Sequence, residues 1–215
     1  WDLESGQIIR QVTSDRDIYT TLVFNLDGQT AYAPLDDEDN NSNFGQFDIE
    51  TGQIVRSYST TQCCTDFAIH PNGRSVFLAY NAGGPVLEWD LVADREIRAF
   101  GQHPGARTRV EVSSDGRLLM VSATNFEGGI ISLWDLETGH EIRRFKSDGI
   151  CCVDIDMSPD GRLAITPAGG GTAILWDLSL PSAMDEVRQW INDNRFVRPL
   201  SCADRALYRI EPLCE

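Results

Sequence analysis

The stretch WDLETGHEIRRF, residues 134–145, has counterparts over roughly residues 1–180 and decides the fold. Its opening dipeptide, Trp-Asp or once Phe-Asp, recurs with spacings of 46, 42, 45 and 42 residues. The related segments GQIIRQV, GQIVRSY, DREIRAF and GHEIRRF follow the first four copies. A fixed period of this length indicates an array of similar supersecondary units. The five dipeptides are Trp1-Asp2, Phe47-Asp48, Trp89-Asp90, Trp134-Asp135 and Trp176-Asp177.

Each unit also carries a four-residue turn, which reads NLDG, HPNG, SSDG or SPDG at residues 25–28, 70–73, 113–116 and 158–161. Proline in second place, Asp or Asn in third and Gly in fourth suit a type I turn. The residues before each turn alternate, which predicts strands with one face more apolar than the other. The more apolar positions include Leu22, Phe24, Phe67, Ile69, Val110, Val112, Ile155 and Met157. The other face carries Asp66, Arg109, Glu111, Asp154 and Asp156.

Four short antiparallel strands per unit, closed by Trp-Asp, resemble the WD-repeat β-propeller family over roughly residues 1–180. The resemblance implies an all-β fold of four-stranded blades, with the first strand of each unit lining a central channel. It also implies that Phe47, Trp89, Trp134 and Trp176 lie on third strands and pack between blades. The usual Gly-His before the inner strand and the aspartate before the third strand are missing.

The predicted repeat units span about 3–48, 49–90, 91–135 and 136–177. Four blades are fewer than the usual ring of this family, so either further blades precede Trp1 or two chains complete a ring together. We expect the first, because the chain begins at the end of a repeat. Residues 181–215 break the period and predict a helical tail that packs on the propeller. This tail looks like the ending of propellers in bacterial multidomain proteins that carry an upstream NTPase, protease-like or kinase module.

The formal net charge of −15 argues against nucleic acid as a partner and against an anionic membrane surface. No apolar run is long enough to span a bilayer. The six cysteines include the adjacent pairs Cys63-Cys64 and Cys151-Cys152, which do not form a disulfide framework. Reduced thiols are the simpler interpretation, and they favour a cytoplasmic location.

No catalytic signature of a serine hydrolase, zinc protease or nucleotide-binding loop is present. His70 is predicted in a turn between strands, His103 in a loop between strands and His140 just after a Trp-Asp dipeptide, so nothing brings the three together. The glycines at 169–171 lack the lysine and helix of a phosphate cradle. The cysteine pairs are too far apart in a propeller to share one metal. We therefore expect no enzyme activity, no cofactor and no metal site.

An acidic segment at residues 36–43 alternates Asp and Asn like a calcium loop, but it lacks the glycine and the final glutamate of that motif. A solvated loop or an acidic docking patch is the preferred interpretation. The family geometry implies that this segment lies where the inner strands begin, at the end used for partners. The predicted partner-binding residues are Tyr19, Asp36, Asp37, Asp39, Arg107 and Arg109.

The leading functional hypothesis is a non-catalytic interaction scaffold or sensor module that presents rim loops to a protein partner, possibly a basic one. One alternative is a propeller enzyme or a metal-dependent hydrolase-like module with a site in its channel, which paired histidines and carboxylates at equivalent inner positions would support. The sequence shows no such pairing. Another alternative is a structural or autoinhibitory domain that packs on an upstream module of the same protein.

Overall fold

A computed structural model describes residues 2–8, 21–35, 42–60, 64–80, 83–103, 107–125, 128–147, 154–168 and 171–179. The chain divides into two compact units, residues 1–178 and 179–215. The predicted helical tail, together with Tyr19, Asp36, Asp37 and Asp39, lies outside the described residues. No helix occurs within the described ranges, where the secondary structure is all β.

Four antiparallel sheets account for the described strands, and within each sheet the strands follow chain order. Sheet 1 contains β1 (Val23–Phe24), β2 (Thr30–Leu35), β3 (Ser42–Asp48) and β4 (Ile54–Thr60). Sheet 2 contains β5 (Cys64–Ile69), β6 (Ser75–Tyr80), β7 (Gly84–Asp90) and β8 (Arg95–His103). Sheet 3 contains β9 (Arg107–Val112), β10 (Leu118–Asn125), β11 (Gly128–Asp135) and β12 (Glu141–Ser147). Sheet 4 contains β13 (Asp156–Met157), β14 (Leu163–Ala168) and β15 (Thr172–Asp177).

The sheets stack face to face through three apolar clusters. Tyr32, Phe44 and Tyr58 of sheet 1 meet Phe67 and Leu78 of sheet 2. Sheet 2 meets sheet 3 through a second cluster, and sheet 3 meets sheet 4 through a third. This all-β array of stacked meanders fits a β-propeller-like fold and confirms the predicted fold class at that level. The described residues show no closed ring.

The aspartates of three repeated dipeptides close the turns that follow their strands. Asp48 Oδ1 accepts the backbone N–H of Thr51 at 2.7 Å, and Asp135 Oδ1 accepts that of Thr138 at the same distance. Asp90 makes the equivalent bond to Ala93 at 2.9 Å. Backbone hydrogen bonds hold the pKa of Asp90 and Asp135 below the usual value. The dipeptide therefore fixes where the third strand ends and the fourth begins.

The repeated four-residue turns touch one another in sequence order. A Cβ built on Gly73 would lie 3.8 Å from Leu26, and one on Gly161 would lie 3.6 Å from Ser113. The His70 ring contacts the turn at Gly116 and makes a hydrogen bond, 3.1 Å from Nε2 to the Gly116 carbonyl oxygen. These contacts join neighbouring sheets at one end of the stack.

Replacing Gly116 with alanine should destabilise the protein more than replacing Gly28. Both glycines have φ near +70°, at +72° and +64°, so both variants incur the left-handed backbone cost of about 1–2 kcal/mol. Only at Gly116 would the new Cβ also collide with His70, 2.7 Å away, which adds about 1–3 kcal/mol. Urea unfolding of the two variants measures the difference. Equal losses would mean that the turn-to-turn contact contributes nothing.

Candidate functional site

The first strands of the four sheets, β1, β5, β9 and β13, lie next to one another in that order. We call them the hub strands. Their residues alternate between two neighbours: Phe67 and Ile69 of β5 pack towards sheet 1, whereas Ala68 packs towards sheet 3. Val110 of β9 likewise packs back towards sheet 2. The alternation predicted from sequence therefore separates contacts with the preceding sheet from contacts with the following one.

Four carboxylates, which we call the hub carboxylates, lie on or beside these strands. Asp66 and Asp154 both stand four residues before a repeated turn, and Glu111 and Asp156 both stand two residues before one. Carboxylates therefore occur at equivalent inner positions, on the less apolar face that the alternation predicts, although they were not among the predicted site residues. The signal was present in the repeat alignment, but only a comparison of units position by position shows it.

Asp66 connects two hub strands directly. Its side chain is buried, and Oδ2 accepts the backbone N–H of Val110 on β9 at 2.9 Å. Burial raises the pKa of Asp66, while the Val110 hydrogen bond and the nearby Arg109 guanidinium act in the opposite direction. This carboxylate fixes the register between sheets 2 and 3 at the hub.

Among the hub carboxylates, Glu111 has the most strongly shifted pKa. Burial raises its pKa to about 7, and the negative charges of Asp156, Asp66 and Asp154 add to the effect. A carboxyl group with that pKa can accept or donate a proton at neutral pH. The hub thus holds a concentrated negative field together with one group that changes charge under physiological conditions.

The two predicted arginines are both on β9, where Arg107 is exposed and Arg109 is half-buried. Arg109 pairs with Ser122 across the sheet and lies close enough to Asp66 to lower its pKa. Arg107 pairs with Thr124 at the end of the strand. Tyr19 and the acidic segment at residues 36–43, with which they were predicted to act, lie largely outside the described residues. Within those residues, no group of three or more His, Cys, Asp or Glu side chains is arranged to hold a metal ion.

His103 is a buried polar residue that sequence reasoning assigned to a loop. It ends β8, is 1% exposed, and stands edge-on to Trp134 with ring centroids 6.3 Å apart. In the described part of the chain, neither ring nitrogen has a hydrogen-bond partner. Burial lowers the pKa of His103 to about 4, and Arg144 contributes in the same direction. The ring is therefore neutral in the folded protein at neutral pH.

A second polar contact joins sheets 2 and 3 away from the hub. Glu88 is buried, accepts the hydroxyl of Ser75 at 2.9 Å, and pairs with Arg98 Nε at 2.6 Å. Arg98 also donates to the carbonyl oxygen of Leu136 in the next sheet. An arginine two residues before an aromatic recurs on the fourth strands, and the guanidinium stacks on the ring in each case. The pairs are Arg56 with Tyr58, Arg98 with Phe100 and Arg143 with Phe145.

Neither a family model nor a curated protein matches the chain. Among solved structures, 965 chains match it, so the fold is widely shared. One of them is hydrazine synthase of Kuenenia stuttgartiensis, with a TM-score of 0.63 and 17% sequence identity. The match covers 80% of this chain and 50% of that one, so this chain spans about half the length of the protein it resembles. At this identity the likeness shows the fold alone.

That match corrects one prediction. We expected no enzyme activity because no short catalytic motif is present, but the fold also occurs in an enzyme. The prediction is contradicted, although the distant identity assigns no reaction to this chain. The missing motifs were insufficient ground, because groups such as Glu111 acquire their chemistry from tertiary surroundings.

Among the described residues, no helical segment has the length and apolarity needed to cross a lipid bilayer.

Replacing Glu111 with glutamine should stabilise the protein above neutral pH. The folded pKa, about 7, exceeds the ordinary value of 4.5, so the stability linked to the protonated group is present in acid and lost as pH rises through 7. Glutamine keeps the size and removes the charge, so the gain should reach roughly 1–3 kcal/mol at pH 8 and shrink towards pH 5. Thermal unfolding at the two pH values tests this. A gain that does not depend on pH would contradict the assigned ionisation.

Replacing His103 with phenylalanine should make the stability of the folded protein less sensitive to acid. The folded pKa, about 4, lies below the ordinary value of 6.5, so the histidine costs stability as pH falls from 6.5 towards 4. Phenylalanine cannot be protonated and still presents a ring to Trp134. We expect its melting temperature to fall less than that of the wild type between pH 7 and 5. The control is His140→Gln, at an exposed position, which should follow the wild type.

Proposed function

We propose that this chain is a WD-repeat type β-propeller module that binds a basic segment of a protein partner at the hub carboxylates. The observation that carries the proposal is the grouping of the hub carboxylates: Asp156, Asp66 and Asp154 lie close enough to Glu111 for their negative charges to raise its pKa, in addition to the larger effect of burial. Arg109 lies near Asp66, and Arg107 is exposed at the start of β9. A lysine or arginine of a partner would supply the missing positive charge.

Two features of the chain support an interaction role. Stacked sheets form a rigid frame, and loops on such frames commonly carry recognition. The net charge of −15 would attract a basic partner over long range and accelerate its association. The acidic residues Asp36, Asp37 and Asp39, with Tyr19, stay predicted partner-binding residues and lie outside the described residues. The proposal predicts that binding is coupled to loss of a proton from Glu111.

A fluorescent peptide of ten lysines tests the proposal by anisotropy at low salt. Binding to the wild type should strengthen between pH 6 and 8, as Glu111 ionises. Glu111→Gln should abolish that dependence and weaken binding at pH 8 by about two- to fivefold, the scale of a solvent-accessible ion pair. A peptide of ten glutamates should not bind.

The matched control is Glu137→Gln, which removes the same charge from an exposed turn outside the hub. It should leave both the affinity and its pH dependence close to those of the wild type. If both variants lose affinity equally, the peptide responds to net charge and the hub is not the binding site.

A further inference from the structure

The second repeated turn, residues 70–73, differs from the other three at one chemically reactive position. Its third residue is Asn72 and its fourth is Gly73, whereas the third residue of the other turns is aspartate, at positions 27, 115 and 160. Asn72 is the only asparagine of the sequence that precedes a glycine. Asparagine is chemically labile because the backbone nitrogen of the following residue attacks its side-chain amide, and glycine hinders that attack least since it has no Cβ.

The turn places this pair at the surface and restrains it through His70 alone. Asn72 is exposed, so water reaches its side chain. The Gly73 N–H donates to the carbonyl oxygen of His70 at 2.8 Å, and the Asn72 N–H donates to Nδ1 of the His70 ring at 3.1 Å. Because both hydrogen bonds lie within one surface turn, they open by a local fluctuation that leaves the strands of sheet 2 paired.

The side-chain carbonyl group of Asn72 is already polarised. Its Oδ1 accepts the backbone N–H of Arg74 at 2.8 Å. Negative charge collects on this oxygen when a nucleophile adds to Cγ, and a hydrogen-bond donor that is in place beforehand stabilises such charge. The turn therefore holds an activated carbon next to a backbone nitrogen that no side chain shields.

An aspartate at position 72 would fit the turn without rearrangement. In each of the other three turns, Oδ1 of the aspartate accepts the backbone N–H two residues further on, as Oδ1 of Asn72 does. The distances are 2.8 Å from Asp27 to Gln29, 3.0 Å from Asp115 to Arg117 and 3.1 Å from Asp160 to Arg162. An isoaspartate would instead insert one carbon into the backbone and move the Gly73 N–H away from the His70 carbonyl oxygen.

We propose that Asn72 is a site of spontaneous deamidation in the folded protein, with water as the co-reactant. The Gly73 nitrogen gives its proton to a solvent base and bonds to Cγ of Asn72. The bond from Cγ to Nδ2 then breaks, Nδ2 leaves as ammonia, and a cyclic succinimide remains.

Water opens the succinimide in one of two ways. Cleavage between the Gly73 nitrogen and Cγ returns a proton to the nitrogen and leaves aspartate, which matches the other three turns. Cleavage between the same nitrogen and the backbone carbonyl carbon of residue 72 leaves isoaspartate. Overall one water is consumed, one ammonia is released and nothing is oxidised. This modification does not rest on the proposed function.

Incubation of the 215-residue protein at mildly alkaline pH, followed by tryptic digestion and mass spectrometry, tests the proposal. Trypsin releases residues 57–74 as one peptide, in which Asn72 is the single asparagine. This peptide should gain the mass difference between an amide and an acid, and its fragment ions should place the change at position 72. The internal control is Asn25, which precedes Leu26 and whose Nδ2 donates to Asp27 at 2.7 Å, so it should stay intact over the same period.

Two variants separate the reaction from its product. Gly73→Asn keeps a residue type that tolerates the φ of +68° found there, but its side chain hinders the attack, so position 72 should convert several-fold more slowly than in the wild type. Asn72→Asp should unfold at the same urea concentration as the wild type, because the turn accepts aspartate. Far-ultraviolet circular dichroism confirms that both variants are folded.

Three results would overturn the proposal. Asn72 that persists as long as Asn25, while a free peptide of residues 66–74 converts, would mean that the folded turn blocks the reaction. Conversion of Gly73→Asn at the wild-type rate would mean that the nitrogen of residue 73 is not the nucleophile. A marked loss of stability in Asn72→Asp would show that the turn does not accept the product.

Discussion

Burial of both faces of each sheet against its neighbours is the constraint on which the rest of this structure depends. A four-stranded meander is too thin to hold a core of its own, so its apolar residues must be divided between the sheet before and the sheet after. Sheet 2 satisfies this requirement on both sides through Phe67 and Ala68, and sheet 3 does so through Val110 and Met120.

Local features were predictable because local hydrogen bonds determine them. The turns that follow the repeated dipeptides depend on a side-chain acceptor three residues away, as when Asp135 accepts the N–H of Thr138. Such spacing is visible in sequence. Strand alternation was visible for the same reason. The all-β class followed from those two signals and the repeat length, whereas the face-to-face stacking was implied by the resemblance to the WD-repeat family.

The candidate site was less predictable because its properties arise from distant neighbours. Glu111 looked like an ordinary solvent-facing residue of an alternating strand, yet Asp66 on β5 and Asp156 on β13 share its surroundings. His103 looked like a loop residue, yet it is enclosed against Trp134 from the next sheet. These two groups lower stability in opposite pH ranges. Protonation of His103 destabilises the folded protein in acid, and ionisation of Glu111 destabilises it as the pH rises.

The contiguity of each sheet in the chain has a mechanical consequence. Every meander is drawn from one stretch of sequence and is held laterally by its neighbours, through contacts such as those of Asp66 with Val110 and Arg98 with Leu136. Tension applied along the polypeptide would therefore strip strands from an outer meander first and leave the interior ones intact. Extension would proceed in discrete steps, one repeat at a time, so the array is suited to yielding gradually under load.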